Sequence, residues 1–173
     1  MREVTDAFLL NVAEVSATLL GLFLVGVFFY LETGPRQRPA ARKVFEPYLR
    51  ASTRILLVLF ALPLGLSLTL VDLDPVWARV LFALLSLMLL VTNIEIAVRI
   101  RAVTKATGST ALAVNEVAST LGVLTLIALP WALGGLHPTR EHLAAAILLS
   151  LATAFFSICT VVLSAFDLAH HTD

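Results

Sequence analysis

Residues 55–98 read ILLVLFALPLGLSLTLVDLDPVWARVLFALLSLMLLVTNIEIAV, and this stretch decides the fold. A bilayer core is about 30 Å thick, so a crossing helix needs roughly 20 mainly apolar residues. Ile55–Val71 carries no charge, and Val76–Val98 carries only Arg79 at its start and Glu95 near its end. Between them stands the short turn Asp72-Leu73-Asp74-Pro75. The stretch therefore reads as two membrane spans joined by a tight corner. Pro75 fits a first-turn position, where no helical amide is needed.

Outward from this hairpin three more spans appear: Ala7–Leu31 before it, Val114–Leu136 and Leu143–Leu168 after it. The corner Gly134-Gly135-Leu136-His137-Pro138 joins the last two, and Pro138 reads as a second first-turn proline. In lipid an unpaired backbone group costs several kcal/mol, so every span is expected to be a helix. The composition agrees. Hydrophobic residues make up 59% of the chain and charged residues 14%, against about 25% charged in a soluble domain. A globular interior of this size cannot hide so much apolar surface. The expected fold is one all-α transmembrane domain over residues 1–173, a polytopic bundle of five helices. The first span begins almost at once and lacks a basic n-region, so it is expected to stay as an anchor rather than be cleaved.

The largest polar connection is residues 32–54. Thr33–Pro39 reads as a loop, and Ala40–Arg54 as a basic helix merging into the second span, lying on the membrane surface through Val44, Tyr48 and Leu49. Orientation follows from Lys and Arg near the helix ends. Arg36, Arg38, Arg42, Lys43, Arg50 and Arg54 lie in the first loop and Arg99, Arg101 and Lys105 in the third connection. Only Arg2, Arg79 and Arg140 lie on the other side. The expected topology is N-terminus out and C-terminus in. The marked excess of Arg over Lys, with much Ala, Leu and Val, is typical of a GC-rich bacterial gene, and the expected location is the bacterial inner membrane.

Two hairpins resemble copies of each other. Ala51-Ser52-Thr53 precedes Ala61-Leu62-Pro63 by the same spacing as Ala118-Ser119-Thr120 precedes Ala128-Leu129-Pro130. A corner proline follows in each, then Leu85-Ser86-Leu87 is echoed by Leu149-Ser150-Leu151. Such a repeat relates spans two and three to spans four and five by rotation about the membrane normal. A shorter echo, residues 14–19 against 116–121, joins spans of opposite direction and competes with it. Pro63 and Pro130 are expected to kink their helices.

Ionisable groups inside a bilayer are costly and mark a pathway or a buried pair. Glu14 lies about two turns inside the first span, and Asn11 and Thr18 share its face at i−3 and i+4. This stripe reads either as the lining of a water-filled path, with Glu14 as a carboxylate ring in an oligomer, or as half of a structural pair with Arg79. Beside it Ala13, Ala17 and Gly21 form a small-residue series, loosely extended by Gly26, that admits a closely packed helix within or between subunits. Phe23, Phe28, Phe29 and Tyr30 read as lipid-facing or interfacial anchors. A second group gathers where the third span ends and the fourth begins: Asn93, Glu95, Asn115 and Glu116. Glu95 with Arg99 reads as a helix pair and Glu116 as a charge favoured near a helix start; together the four also read as an inner ion vestibule. Ser150, Thr153, Ser157, Thr160 and Ser164 form one hydroxyl stripe, suited to bonding neighbouring helices or lining a narrow aqueous route.

No motif for membrane enzymology, voltage sensing or potassium filtering is present, so no catalytic residue and no enzyme activity is expected. Cys159 stands alone and the four histidines have no metal-ligand spacing, so neither metal nor cofactor is expected. Net charge is zero, which gives no argument for nucleic acid. The reading that fits is a homo-oligomeric ion channel or facilitator with its path near Glu14, small ions and lipid being its partners. The alternative is a non-transporting membrane subunit or scaffold for another membrane protein.

Overall fold

Local capping sets several helix starts in this chain. In the computed structural model, backbone is described for residues 4–33, 39–107 and 110–170, and side chains for residues 4–29, 52–98, 114 and 116–159. Five helices follow: α1 Asp6–Thr33, α2 Pro39–Asp72, α3 Pro75–Thr107, α4 Thr110–Gly134 and α5 Arg140–His170. No strand occurs among the described residues. The Thr5 hydroxyl accepts the Phe8 amide at 3.3 Å and opens α1. Asp74 Oδ1 accepts the Val76 amide at 2.8 Å and opens α3, with Pro75 as its first residue.

The second corner differs from expectation. α4 stops at Gly134 and starts at Thr110, and α5 starts at Arg140. Gly135 takes φ 58, and its amide bonds the Trp131 carbonyl at 2.9 Å. This left-handed C-terminal cap ends α4 two residues before the hydrophobic run does. Pro138 then lies outside α5, not in its first turn. Thr139 precedes the helix, and its amide donates to His142 Nδ1 at 3.3 Å, a capping-box arrangement with histidine in the acceptor role.

Each helix contains a segment long and apolar enough to cross a membrane: Asp6–Phe29, Ser52–Asp72, Pro75–Val98, Glu116–Gly134 and Arg140–Cys159. Five helices of this length and composition suggest a multi-pass membrane protein. α2 continues without a break from Pro39 into its span, as the basic approach to the second span anticipates.

Packing is a closed ring with one appendage. α2 packs on α3, α3 on α4, α4 on α5, and α5 back on α2, while α1 lies mainly against α2. The α3–α4 seam is the sparsest of these contacts. The short corners, residues 73–74 and 135–139, lie at one end of the ring, here the corner end, together with the start of α1. The far end, where α1 and α3 end and α2 and α4 begin, is the loop end. Fully buried Phe60, Phe82, Leu59, Leu62, Leu66, Leu126 and Ile147 fill the ring. The α4–α5 hairpin is the tightest: a Cβ at Gly122 would lie 2.8 Å from Thr153 Oγ1.

Candidate functional site

The intramembrane polar residues fall into two groups with opposite surroundings. The first lies on α1. Leu9, Val12, Ala13 and Ser16 are buried, and Phe23 meets Phe60 with ring centroids 6.0 Å apart. This is the face turned to α2. Glu14 stands two positions from both Val12 and Ser16. Two positions are about 200° round a helix, so Glu14 points away from the bundle.

Asn11, Glu14 and Thr18 are all exposed. The Thr18 hydroxyl turns back to the Glu14 carbonyl at 2.9 Å. The Glu14 carboxylate has no ion pair among the described residues. The pairing with Arg79 is not formed: Arg79 Nε bonds the Pro75 carbonyl of its own helix at 3.2 Å. Counting eight residues from Asp6, the carboxylate sits about 12 Å into the helix.

The small-residue series splits between the two faces. Ala13 is buried within the subunit, whereas Ala17 is exposed. A Cβ at Gly21 or Gly26 would meet nothing within 4 Å. Phe28 and Phe29 are exposed, as lipid-facing anchors should be, while Phe23 is claimed by the α1–α2 contact.

The second group lies inside the ring towards the loop end. Asn93 and Glu116 are buried, 5% and 7% exposed. Thr120 Oγ1 donates to Asn93 Oδ1 at 3.1 Å, joining α4 to α3. Glu116 lies one turn before Ser119 and Thr120 on α4. Ser157 donates to Ser119 Oγ at 3.2 Å, joining α5 to α4. Glu95 is half-exposed and faces Arg54 of α2 at 3.9 Å; the Arg99 side chain of the anticipated helix pair lies outside the described residues. So does that of Asn115, and so do those of Thr160 and Ser164. Residues from all four ring helices thus meet at this end, and α3, α4 and α5 share the buried oxygen-rich part.

The α5 stripe serves inter-helix bonding where it is described. Ser150 Oγ donates to the Leu59 carbonyl of α2 at 2.6 Å, and Ser157 bonds α4 as above. The Ser150 bond carries a further point. Pro63 has no N–H, so the carbonyl four residues earlier, Leu59, has lost its helical donor. A hydroxyl from another helix replaces it. The sequence held both halves of this pair, but nothing in it joined residue 63 to residue 150. Sequence reading likewise missed the Arg140–Asp6 ion pair that ties the start of α5 to the start of α1. The residues are far apart in the chain, and only their common place at the corner end could have suggested it.

Among the described residues no group of three or more His, Cys, Asp and Glu could hold a metal ion. No family model, no curated protein and no solved structure matches the chain.

Proposed function

We propose that this protein is a homo-oligomeric channel or facilitator for a small cation, in which copies meet through the outward face of α1. Asn11, Glu14 and Thr18 then line a path between subunits. The observation that carries the reading is the exposed carboxylate of Glu14 well inside an apolar span. On insertion scales an acidic side chain facing hydrocarbon costs about 2.5–3.5 kcal/mol at a helix centre. A second copy of the same face removes that cost by enclosing the carboxylate with water and cations. Gly21 and Gly26 leave the face flat enough for a neighbouring backbone to approach.

The path belongs between subunits because the ring of one subunit is filled by Phe60, Phe82, Leu62 and Leu66. In this reading the corner end faces outward and the loop end, with its basic residues, faces the cytoplasm; the membrane is the bacterial inner membrane. The buried Asn93–Glu116 group sits at the cytoplasmic end of each ring, where its hydrogen bonds hold helices together.

The second reading keeps the same face but gives it to another membrane protein. It is favoured by the apolar surround of Glu14: Val15, Leu22, Val25 and Phe28 are exposed and suit any apolar helix. Glu14→Gln in planar bilayers separates the two. A channel loses cation preference or conductance while its subunit number in detergent stays the same. Unaltered currents with normal assembly, or a monomer that copurifies stoichiometrically with a different membrane protein, overturn the first reading.

A further inference from the structure

α5 opens on a capping arrangement whose acceptor can lose its lone pair to a proton. Thr139 is the N-cap: its carbonyl accepts the Leu143 amide at 3.1 Å, and Arg140 is the first helical residue. Three positions after such a residue, a Glu or Gln ordinarily reaches back to the N-cap amide. Here His142 holds that place, and the Thr139 amide donates to its Nδ1 at 3.3 Å. An imidazole nitrogen accepts only while it carries no proton, so this bond requires the neutral ring with its proton on Nε2. The ring is also seated against the end of α4. A Cβ at Gly134 would collide with His142 Nδ1 and stand 3.1 Å from its Cε1. The His137 amide bonds the Gly134 carbonyl at 3.3 Å across the same corner. The charged groups around the ring are few. Arg140 lies in the same turn and reaches Asp6 of α1, and Glu141 is next in sequence. His137 is exposed, and so is Asp72, the last residue of α2. Among the described residues no carboxylate forms an ion pair with His142.

We propose that His142 is a proton-operated cap on α5. Unprotonated, it closes the first turn of α5 on the α4–α5 corner; protonated, it lets that turn fray. Taking up a proton from water turns Nδ1 from an acceptor into a second donor, which faces the Thr139 N–H and ends the bond. The proton also sets a positive charge among the free amides of a helix start, where the helix dipole opposes it, in a turn that already carries Arg140. Both effects have one sign. The capped turn is stable while the ring is neutral and weakens as pH falls. Histidine is the side chain whose charge changes within the interval from about pH 5 to about pH 8. Arg140 belongs to the released turn, so the tie from α5 to Asp6 of α1 loosens with it. The device thus responds to pH on the corner side of the membrane, and it does not depend on channel activity.

The test uses full-length protein in lipid nanodiscs and hydrogen–deuterium exchange at about pH 8 and about pH 5, the two ends of the histidine interval. Each amide is referred to its intrinsic exchange rate at that pH. Protection of the Thr139 and Leu143 amides should fall about fivefold at the lower pH, the size of one lost helix cap. His142→Gln keeps an acceptor that does not titrate, so protection should stay at the high level in both conditions. His142→Ala should show the low level in both. His137→Gln should respond as the wild type does. A direct reading leaves residue 142 untouched. With His137→Gln, His170→Gln and His171→Gln combined, nitrogen-15 shifts of the remaining ring should place the proton on Nε2 at the higher pH and on both nitrogens at the lower. Equal protection at the two pH values in the wild type overturns the proposal, and so does a fall that survives in His142→Gln. A proton on Nδ1 at the higher pH does the same.

Discussion

The outward face of α1 and the loop-end interior of the ring contain the same kinds of side chain and treat them in opposite ways. Inside the ring, Asn93, Ser119 and Ser157 are buried, Thr120 is half-buried, and all four are bonded helix to helix. On α1, Asn11, Glu14 and Thr18 are exposed, and the Thr18 hydroxyl reaches only its own backbone. A polar group in hydrocarbon must find a partner or remain costly. These four ring residues have found their partners within one subunit. Those on α1 have no such partner among the described residues, and the proposed function rests on that difference.

Two glycines give the sharpest way to break this contrast. Gly122 lies where α4 meets α5, and its missing Cβ would stand 2.9 Å from Thr153 Cγ2 as well as close to the hydroxyl. Gly122→Val should destabilise the subunit by about 1–3 kcal/mol, the usual cost of overpacking, measured by reversible unfolding in mixed micelles. Gly21→Val meets open space in the subunit. It should leave unfolding unchanged and weaken self-association, read by energy transfer between labelled copies. Equal stability losses from both would mean that α1 is no freer than the ring.

A smaller effect tests the seam between the ring's halves. Ser150→Ala leaves the Leu59 carbonyl without a donor in the bundle interior. Its expected cost is up to about 1.7 kcal/mol, the upper end measured for inter-helix bonds in a membrane. With Pro63→Ala the helix supplies its own amide, and most of that cost should disappear. Asn93→Ala should cost less, about 0.6 kcal/mol, because the Thr120 hydroxyl can turn back to a carbonyl of its own helix as Thr92 does to Met88. A cost for Asn93→Ala above that of Ser150→Ala would show that the loop-end group does more than tie helices.

How much of this was legible in the sequence depends on distance along the chain. The five apolar runs, the corner at Asp74-Pro75 and the polar stripe on α1 are local patterns, and reading them needed no tertiary information. Helix ends were less legible: α4 is closed by the left-handed Gly135 and not by the end of its hydrophobic run. The direction in which Glu14 points was illegible for a different reason. Outside that stripe the first span is apolar all round, so hydropathy alone could not say whether the stripe faces α2 or turns away from it. Pro63 could be read as a kink, but the hydroxyl that mends it comes from a residue 87 positions later.

The smallest expected effect lies at the rim of the ring. Arg54 and Glu95 approach at 3.9 Å with side chains 61% and 39% exposed. An ion pair so open to its surroundings contributes roughly 0.2–1 kcal/mol at best, and the long contact places this one at the low end. Arg54→Ala should therefore change subunit stability by less than about 0.5 kcal/mol, and raising ionic strength should erase even that. The two arms of the comparison then order themselves by desolvation: a bond closed off inside the ring outweighs a full charge pair at its edge. A loss from Arg54→Ala larger than that from Asn93→Ala, persisting in high salt, would reverse this order and make the loop-end rim part of the buried polar group.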